Sequence, residues 1–389
     1  MKNKIAIASA FLAASSFSMG EIVINDFLSF EGFVDMSYSH TDGELDGSGT
    51  ADINETDNSF AIDQVEIDWL FDFDPVTAQI DIQYDGSNDG FRAARDSEGN
   101  LIDPDDDADE VFVEQAFVTY HFEGEYEGTA VTAGRYASML GFEAFEPTGL
   151  YQYSTAYDMQ NPGFDDADFS NFSVIPNYSQ GVKLTHETDN TFFGISVQDE
   201  SFDYDADRLG GDDEDVSSWA VEVAGAYEFE DGITVFLGGA YEDGSGNTLY
   251  LGNAGDTYVI NTYATYETGA WLFAGELNYG NSEGGRFALG AKEEEVLQGL
   301  LMANYAYSDV ASVTGRFSYV DNEDTSSASN EQFEAVKFTL AHNYAFTDNL
   351  LLVTEVGYVD GTADNVGGDS DADYDYTSLV GAVELLFSF

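Results

Sequence analysis

The chain has no cysteine, five prolines and eleven basic residues in a length of 389. Without cysteine there can be no disulfide framework, no thiolate metal site and no cysteine nucleophile. Eleven Lys and Arg against 75 Asp and Glu give a formal charge of −64. Such a chain cannot build the basic footprint that phosphate backbones demand, so nucleic acid is excluded as a partner. No window beyond the N-terminus holds eighteen consecutive apolar residues, so no segment reads as a membrane-spanning helix. A membrane position would therefore require a closed barrel. The prolines (Pro75, Pro104, Pro147, Pro162 and Pro176) all lie between the patterned segments described next, as a hydrogen-bonded ladder requires.

What is abundant is equally informative. There are 24 Tyr, 30 Phe and 39 Gly, and aromatics reach 15%. Acidic disordered chains are poor in aromatics, so this composition fits a large antiparallel β protein. At the N-terminus, Lys2 and Lys4 precede an apolar run from Ile5 to Ala14 and the small residues Ser15, Ser16, Ser18 and Gly20. That pattern reads as a secretory signal over residues 1–20, with 21–389 as the exported barrel domain.

The remainder alternates with a period of two. Leu28, Phe30, Gly32, Val34, Met36 and Tyr38 share one parity, with Ser29, Glu31, Asp35 and Ser37 on the other; Val65 to Phe73 and Val76 to Tyr84 repeat this. Period two places each set on its own face of a strand. Val111–Tyr120 and Asp256–Tyr266 are ambiguous, since both parities carry bulky residues. The connectors are of two kinds. Short turns fall at 74–75, 123–128, 188–190, 230–232, 268–269, 308–310 and 347–349. Long acidic connectors fall at 40–58, 85–109, 137–178, 200–216, 243–255, 281–294, 321–331 and 359–373. Strict alternation of short and long connectors predicts a single all-β, transmembrane antiparallel barrel of sixteen strands, with short periplasmic turns and long acidic extracellular loops. Tyr and Phe collect at the expected strand ends, among them Tyr120, Tyr227, Tyr305 and Tyr344 on the turn side and Tyr38, Tyr84, Tyr241 and Tyr358 on the loop side. A two-sheet sandwich remains the alternative. Against it, the polar parity carries Asp81, Lys183, Glu222, Glu276, Arg316, Lys337, Glu355 and Glu384, and ionisable residues sustained on one face argue for water there. The last strand alternates to Phe387 and the terminal Phe389, an ending similar to the signal read by the barrel assembly machinery.

The segments FLSFEGFVDMSYS (27–39), DQVEIDWLFDFDPVTAQIDIQY (63–84), EQAFVTY (114–120) and TAGRYASMLGFEAFEPTGLYQYSTAY (132–157) resemble the OmpL-like β-barrel porins of Gram-negative bacteria. The resemblance is strongest over residues 27–187 and implies an outer-membrane porin.

Residues 137–178 form the longest connector and hold Phe142, Phe145, Tyr151, Tyr153, Tyr157, Phe164, Phe169 and Phe172. A loop with so much apolar surface has reason to fold against something. By analogy with sixteen-stranded porins it is expected to enter the lumen and narrow it; an ordered outer cap is the other placement. Arg135, Lys183, Arg316 and Lys337 are strand cations at lumen-facing parity, and with Glu143 and Glu146 of the loop they would set a transverse field at a constriction. Pairing of each cation with a structural acid is the equal alternative. The acidic runs at 103–107 and 369–375 offer oxygen ligands for calcium, although neither has the spacing of an EF-hand, and solvated acidic loops explain them as well. His40, His121, His186 and His342 are not accompanied by any catalytic constellation at readable spacing, so no enzyme, metal or cofactor is expected. The expected function is passive diffusion of small hydrophilic solutes and ions with a cation preference. A structural anchor or surface receptor with a closed lumen is the competing function. The partners are outer-membrane lipid and lipopolysaccharide, the assembly machinery and the solutes themselves, and a homotrimer is an assembly open to such a barrel.

Overall fold

The computed structural model describes residues 20–47, 53–85, 111–159, 171–199, 201–202, 219–244, 255–283, 287, 293–326, 331–365 and 373–389. The strands are β1 (Ile22–Asn25), β2 (Leu28–Gly47), β3 (Ile53–Asp72), β4 (Val76–Asp85), β5 (Val111–His121), β6 (Thr129–Ala137), β7 (Tyr178–Glu187), β8 (Thr191–Gln198) and β9 (Trp219–Glu228). They continue as β10 (Ile233–Asp243), β11 (Thr257–Thr268), β12 (Trp271–Ser282), β13 (Glu294–Ser308), β14 (Ala311–Asp324), β15 (Gln332–Thr347), β16 (Leu350–Asp364) and β17 (Tyr374–Ser388). From β2 to β17 each strand pairs antiparallel with the next, and β17 returns to β2 along Tyr374↔Gly47 to Ser388↔Phe33. The sheet is a closed barrel of sixteen strands. Closure leaves no open sheet edge, the condition for a β structure in lipid.

The two faces carry the expected chemistry. Outward positions are apolar and open: Leu277 is 59% exposed, Leu301 65%, Leu340 60% and Val356 56%. Their sequence neighbours Glu276, Leu300, Thr339 and Glu355 are buried toward the interior. Aromatic rings cluster at strand ends, for example Trp271 with Phe273 and Tyr305.

Every short turn lies where the sequence places it, but the strands run further than their apolar rows. Residues 40–47 and 53–58, expected in the first loop, continue β2 and β3 in register, with His40↔Asn58 and Glu44↔Asn54. Tyr38 is therefore mid-strand. Likewise β14 extends to Asp324 and β16 to Asp364. Above the lipid a strand needs no apolar face, so its alternation fades while the ladder continues. The two ambiguous segments have separate explanations. In β5 the register jumps from Asp81↔Gln115 to Ile82↔Val113, so Glu114 is an extra, bulged residue that shifts the parity. The ladder of β11 is regular, but Val259 and Tyr263 are buried on its inner face.

β1 is an addition that the sequence pattern did not reveal. It pairs with β2 at Ile22↔Phe30 and Asn25↔Leu28, on the edge opposite β3. Phe389 exchanges main-chain hydrogen bonds with Gly32 on that same edge, both at 2.9 Å, so β1 takes over β2 where the C-terminus ends.

Candidate functional site: the third loop

Between β6 and β7 the described chain covers 138–159 and 171–177, tied together by the bridge Asp158↔Asn171. This segment lies inside the barrel. Met139, Leu140, Phe142, Tyr151, Tyr157, Met159 and Phe172 are buried in one cluster with inner-face residues of the wall, including Phe236, Tyr263, Leu300, Val320, Phe333 and Tyr376. Phe172 stacks on Phe333 at 3.9 Å between ring centroids, and Phe142 meets Tyr263 edge-on at 5.8 Å. The inner face is thus not uniformly polar; its apolar patch on β8–β17 is where the loop docks. Burial of one aromatic ring contributes about 1.5–3 kcal/mol, enough in aggregate to fix a segment of this length.

Wall carboxylates then receive the loop's N–H groups, which would otherwise be buried without partners. Glu222 on β9 accepts from Ser138 Oγ and the Met139 amide, both at 2.6 Å. Glu276 on β12 accepts from the Phe142 amide and the Tyr157 hydroxyl at 2.8 Å each. Glu355 on β16 accepts from the Ser154 amide at 3.1 Å and Ser154 Oγ at 2.5 Å. Burial pushes the hydroxyls of Tyr151, Tyr153 and Tyr157 well above the ordinary phenol range, so they stay neutral, and Tyr157 donates to Glu276. Parity placed these glutamates in the lumen, but nothing in the sequence signalled that they hold the loop.

The residues expected at a constriction separate into distinct environments. Arg316 on β14 pairs with Glu143 at 2.5 Å and also donates to the Thr155 carbonyl at 2.9 Å. Glu143 accepts in addition from Gln152 Nε2 at 2.6 Å and the Ala156 amide at 2.7 Å. Lys337 on β15 donates to the carbonyls of Thr155 and Asp158 at 3.1 and 2.8 Å. Lys183 on β7 lies over the Tyr136 ring at 4.4 Å. Glu146 turns to a different wall, accepting from Gln64 Nε2 on β3 at 2.8 Å and Tyr178 OH at 3.0 Å. Burial pushes its carboxyl up. Arg135 departs from its expected row. Register sets it beside Ala116 and Gln180, in line with the outward Ile80, and not with the inner Thr132 and Lys183. Its side chain is nonetheless buried, and Nε donates to the Glu114 carbonyl at 2.8 Å.

Around Glu146 lie acids that the sequence did not bring together as a cluster, although parity already puts Asp81 in the lumen. Glu66 and Asp68 of β3, Asp81 of β4 and Glu114 of β5 are buried on the inner face. Carboxylate oxygens of Glu66, Glu114 and Glu146 lie within 4.8 Å of one another, as do those of Glu66, Asp68 and Asp81. Bulging of β5 is what adds Glu114 to this wall. Beside it the inner positions Gln79, Gln115, Phe117, Lys183 and Thr185 stay partly exposed, whereas the loop packs against the inner rows of β8–β17. The histidines sit elsewhere: His121 contacts Thr77 Oγ1, His186 contacts Thr129 Oγ1 and His342 contacts the Tyr307 hydroxyl, all near turns. Residues 103–107 and 369–371, with the loop cations Arg92, Arg95, Arg208, Arg286 and Lys292, lie outside the described residues, as do Phe164, Phe169 and nearly all of the expected signal segment.

Solved barrels share this architecture. OmpT of Vibrio cholerae superposes with a TM-score of 0.55 at 13% identity, over 95% of this chain and 100% of that one. OmpF of Salmonella typhi, in complex with daunomycin, gives 0.54 at 14% identity over 95% and 100%. An in-vitro folded V. cholerae OmpT in a trimer form gives 0.50 at 12% identity over 92% and 99%. No curated protein matches the chain in sequence. The family described as "Putative beta-barrel porin-2, OmpL-like" matches residues 28–389, nearly the whole closed barrel. The chain belongs to this OmpL-like family and is a porin of the outer membrane.

Proposed function

We propose that small hydrophilic solutes and ions diffuse passively through this barrel, that cations are preferred, and that the third loop with Glu143, Glu146, Lys183, Arg316 and Lys337 forms the constriction. The observation that carries this reading is the loop's position. It fills the side of the interior bounded by β8–β17 and leaves inner residues of β4–β7 partly exposed beside a carboxylate wall. Arg316 and Lys337 are spent on loop acceptors, while Glu66, Asp68, Asp81 and Glu114 form a buried acidic wall, with Glu146 of the loop against it, beside those partly exposed positions. An excess of carboxylates over cations beside a narrow passage raises the local cation concentration and repels anions. Arg135 contributes through Glu114, whose main chain it holds, more than by facing solute. A homotrimer is proposed from the trimer form of the V. cholerae relative.

Reversal potentials across planar bilayers in a salt gradient test the reading. Cation preference is expected at 0.1 M salt, where the screening length is about 10 Å, and should fade toward 1 M, where it is about 3 Å. Shortening the loop between Gly141 and Asn171 should raise single-channel conductance several-fold. Anion preference at low salt would overturn the selectivity. Absence of channels from correctly folded barrels would favour the closed-lumen anchor or receptor.

A further inference from the structure

We infer that the carboxylate wall of β3 and β4 is a binding site for one hard divalent cation of the calcium class, held by Glu66, Asp68 and Asp81. An acidic cluster alone would not carry this, since many are merely solvated. These three are not solvated: Glu66 and Asp68 are 3% exposed and Asp81 is 0% exposed. Within the protein, Asp68 Oδ1 and Asp81 Oδ1 are buried with no hydrogen-bond partner. A buried carboxylate oxygen left unpaired is costly, and two in one cluster call for a ligand.

The neighbouring amides behave as supports for a metal site. Gln79 and Gln115 both donate to Asp81 Oδ2, at 2.9 and 2.7 Å, which fixes the carboxylate while leaving Oδ1 open. Gln64 donates to Glu66 Oε2 at 3.0 Å and to Glu146 at 2.8 Å. Hydrogen-bonded carboxylates of this kind are how proteins orient metal ligands. The three residues' oxygens lie within 4.8 Å of one another, near enough for one ion to reach all three. An all-carboxylate oxygen set suits a hard cation, and calcium, with its flexible coordination, asks the least of a rigid wall's geometry. Glu66 also belongs to the second group, with Glu114 and Glu146, so an ion here would brace the wall to which the third loop is tied.

The test uses the full barrel, folded in detergent, stripped with chelator and titrated calorimetrically with calcium chloride. One site is expected that Asp81→Asn or Glu66→Gln weakens at least tenfold, and that Asp309→Asn, in an exposed turn, leaves unchanged. Calcium should also raise the unfolding temperature of the wild type by more than that of Asp81→Asn. In chelator the variant should be as stable as the wild type or more so, because one repelling charge is gone. Identical titrations for wild type and both variants would overturn the inference. So would a wild type that calcium does not stabilise, which would mean that the cluster shares protons instead. Neither readout depends on conduction, so failure of the selectivity reading leaves this one standing.

Discussion

Arg316 of β14 and Glu143 of the third loop meet at 2.5 Å inside the barrel, and the arginine side chain is fully buried. Between them they engage five further groups: Arg316 reaches Thr155 O, Ser154 Oγ and Thr339 Oγ1, while Glu143 receives Gln152 and the Ala156 amide. The pair is therefore a clamp on residues 143–156 as well as a charge at the proposed constriction. Its partner acid in sequence, Glu146, is three residues away and bound to β3 and β7. One short stretch of loop spans from the cationic wall to the acidic one.

Arg316→Ala should release this clamp. Removing a charged hydrogen-bonding partner costs about 1.5–3 kcal/mol, and breaking a buried pair up to about 5 kcal/mol. Glu143 retains two donors and is 13% exposed, so the lower range applies. Hydrogen exchange should show faster exchange of the Ala156 amide with the barrel intact, and reversal potentials should show stronger cation preference. In the double variant with Glu143→Ala, the two losses should be less than additive by about 0.5–3 kcal/mol.

Glu276 offers a different lever, because it is an acceptor without a cationic partner. Its oxygens take the Phe142 amide, the Tyr157 hydroxyl and the Asn261 amide nitrogen. Glu276→Ala strands two buried donors, the Phe142 amide and the Tyr157 hydroxyl, at about 1–3 kcal/mol each, while Asn261 keeps Asn278 Oδ1 as an acceptor. The loop should then detach from β11 and β12 and become a substrate for limited proteolysis near Phe142, while Glu276→Gln keeps it protected. A loop equally resistant in both variants would show that the aromatic contacts alone hold it.

How much of this could be read beforehand depended on whether the signal was local. Strand number and turn positions were legible because lipid on one side and water on the other impose period two on every strand. Strand ends were not, since residues such as Asp42 and Glu44 stand above the apolar zone, where both faces can be polar. Bulges hid the parity at Glu114 and at Asp63, where Asp35↔Gln64 gives way to Met36↔Ile62. The aromatic content of the loop announced that it would pack. Which wall groups would receive it could not be foreseen, because Ser154 finds Glu355 and Tyr376 finds Met159 across 201 and 217 residues of chain.

Removal of Phe389 should impair closure of the barrel. Its main chain exchanges two hydrogen bonds with Gly32, and its ring packs near Phe30 at 6.3 Å and Phe387 at 5.9 Å. Truncation at Ser388 leaves β2 unpaired between β17 and β1. If Phe387 and Phe389 also form the assembly signal, the truncated chain should accumulate in the periplasm, whereas in detergent it should refold slowly to a heat-modifiable barrel. Gly32→Ala separates the two roles. A Cβ there would lie 2.3 Å from the Glu66 carbonyl oxygen, so the seam should weaken while the terminal signal stays intact. Normal delivery of Gly32→Ala to the membrane, with lowered stability, is the expected result.

The final prediction concerns the two faces of β13. Leu301 is 65% exposed in the outward row and its neighbour Leu300 is 2% exposed in the inner one. Leu301 pairs with Gly275 and Phe317 near the middle of three long strands, so lipid tails should surround it. Leu301→Arg should cost about 2–4 kcal/mol, the penalty for arginine at the midplane of a barrel's lipid face. Leu300→Ala acts by another route, opening a cavity against the docked loop at about 2–5 kcal/mol. Unfolding in urea from lipid vesicles measures both. The lipid dependence tells them apart: transfer to detergent should shrink the Leu301→Arg penalty, because a micelle deforms around a charge, and should leave the Leu300→Ala penalty unchanged. A Leu301→Arg barrel as stable in vesicles as the wild type would mean that this row does not face lipid.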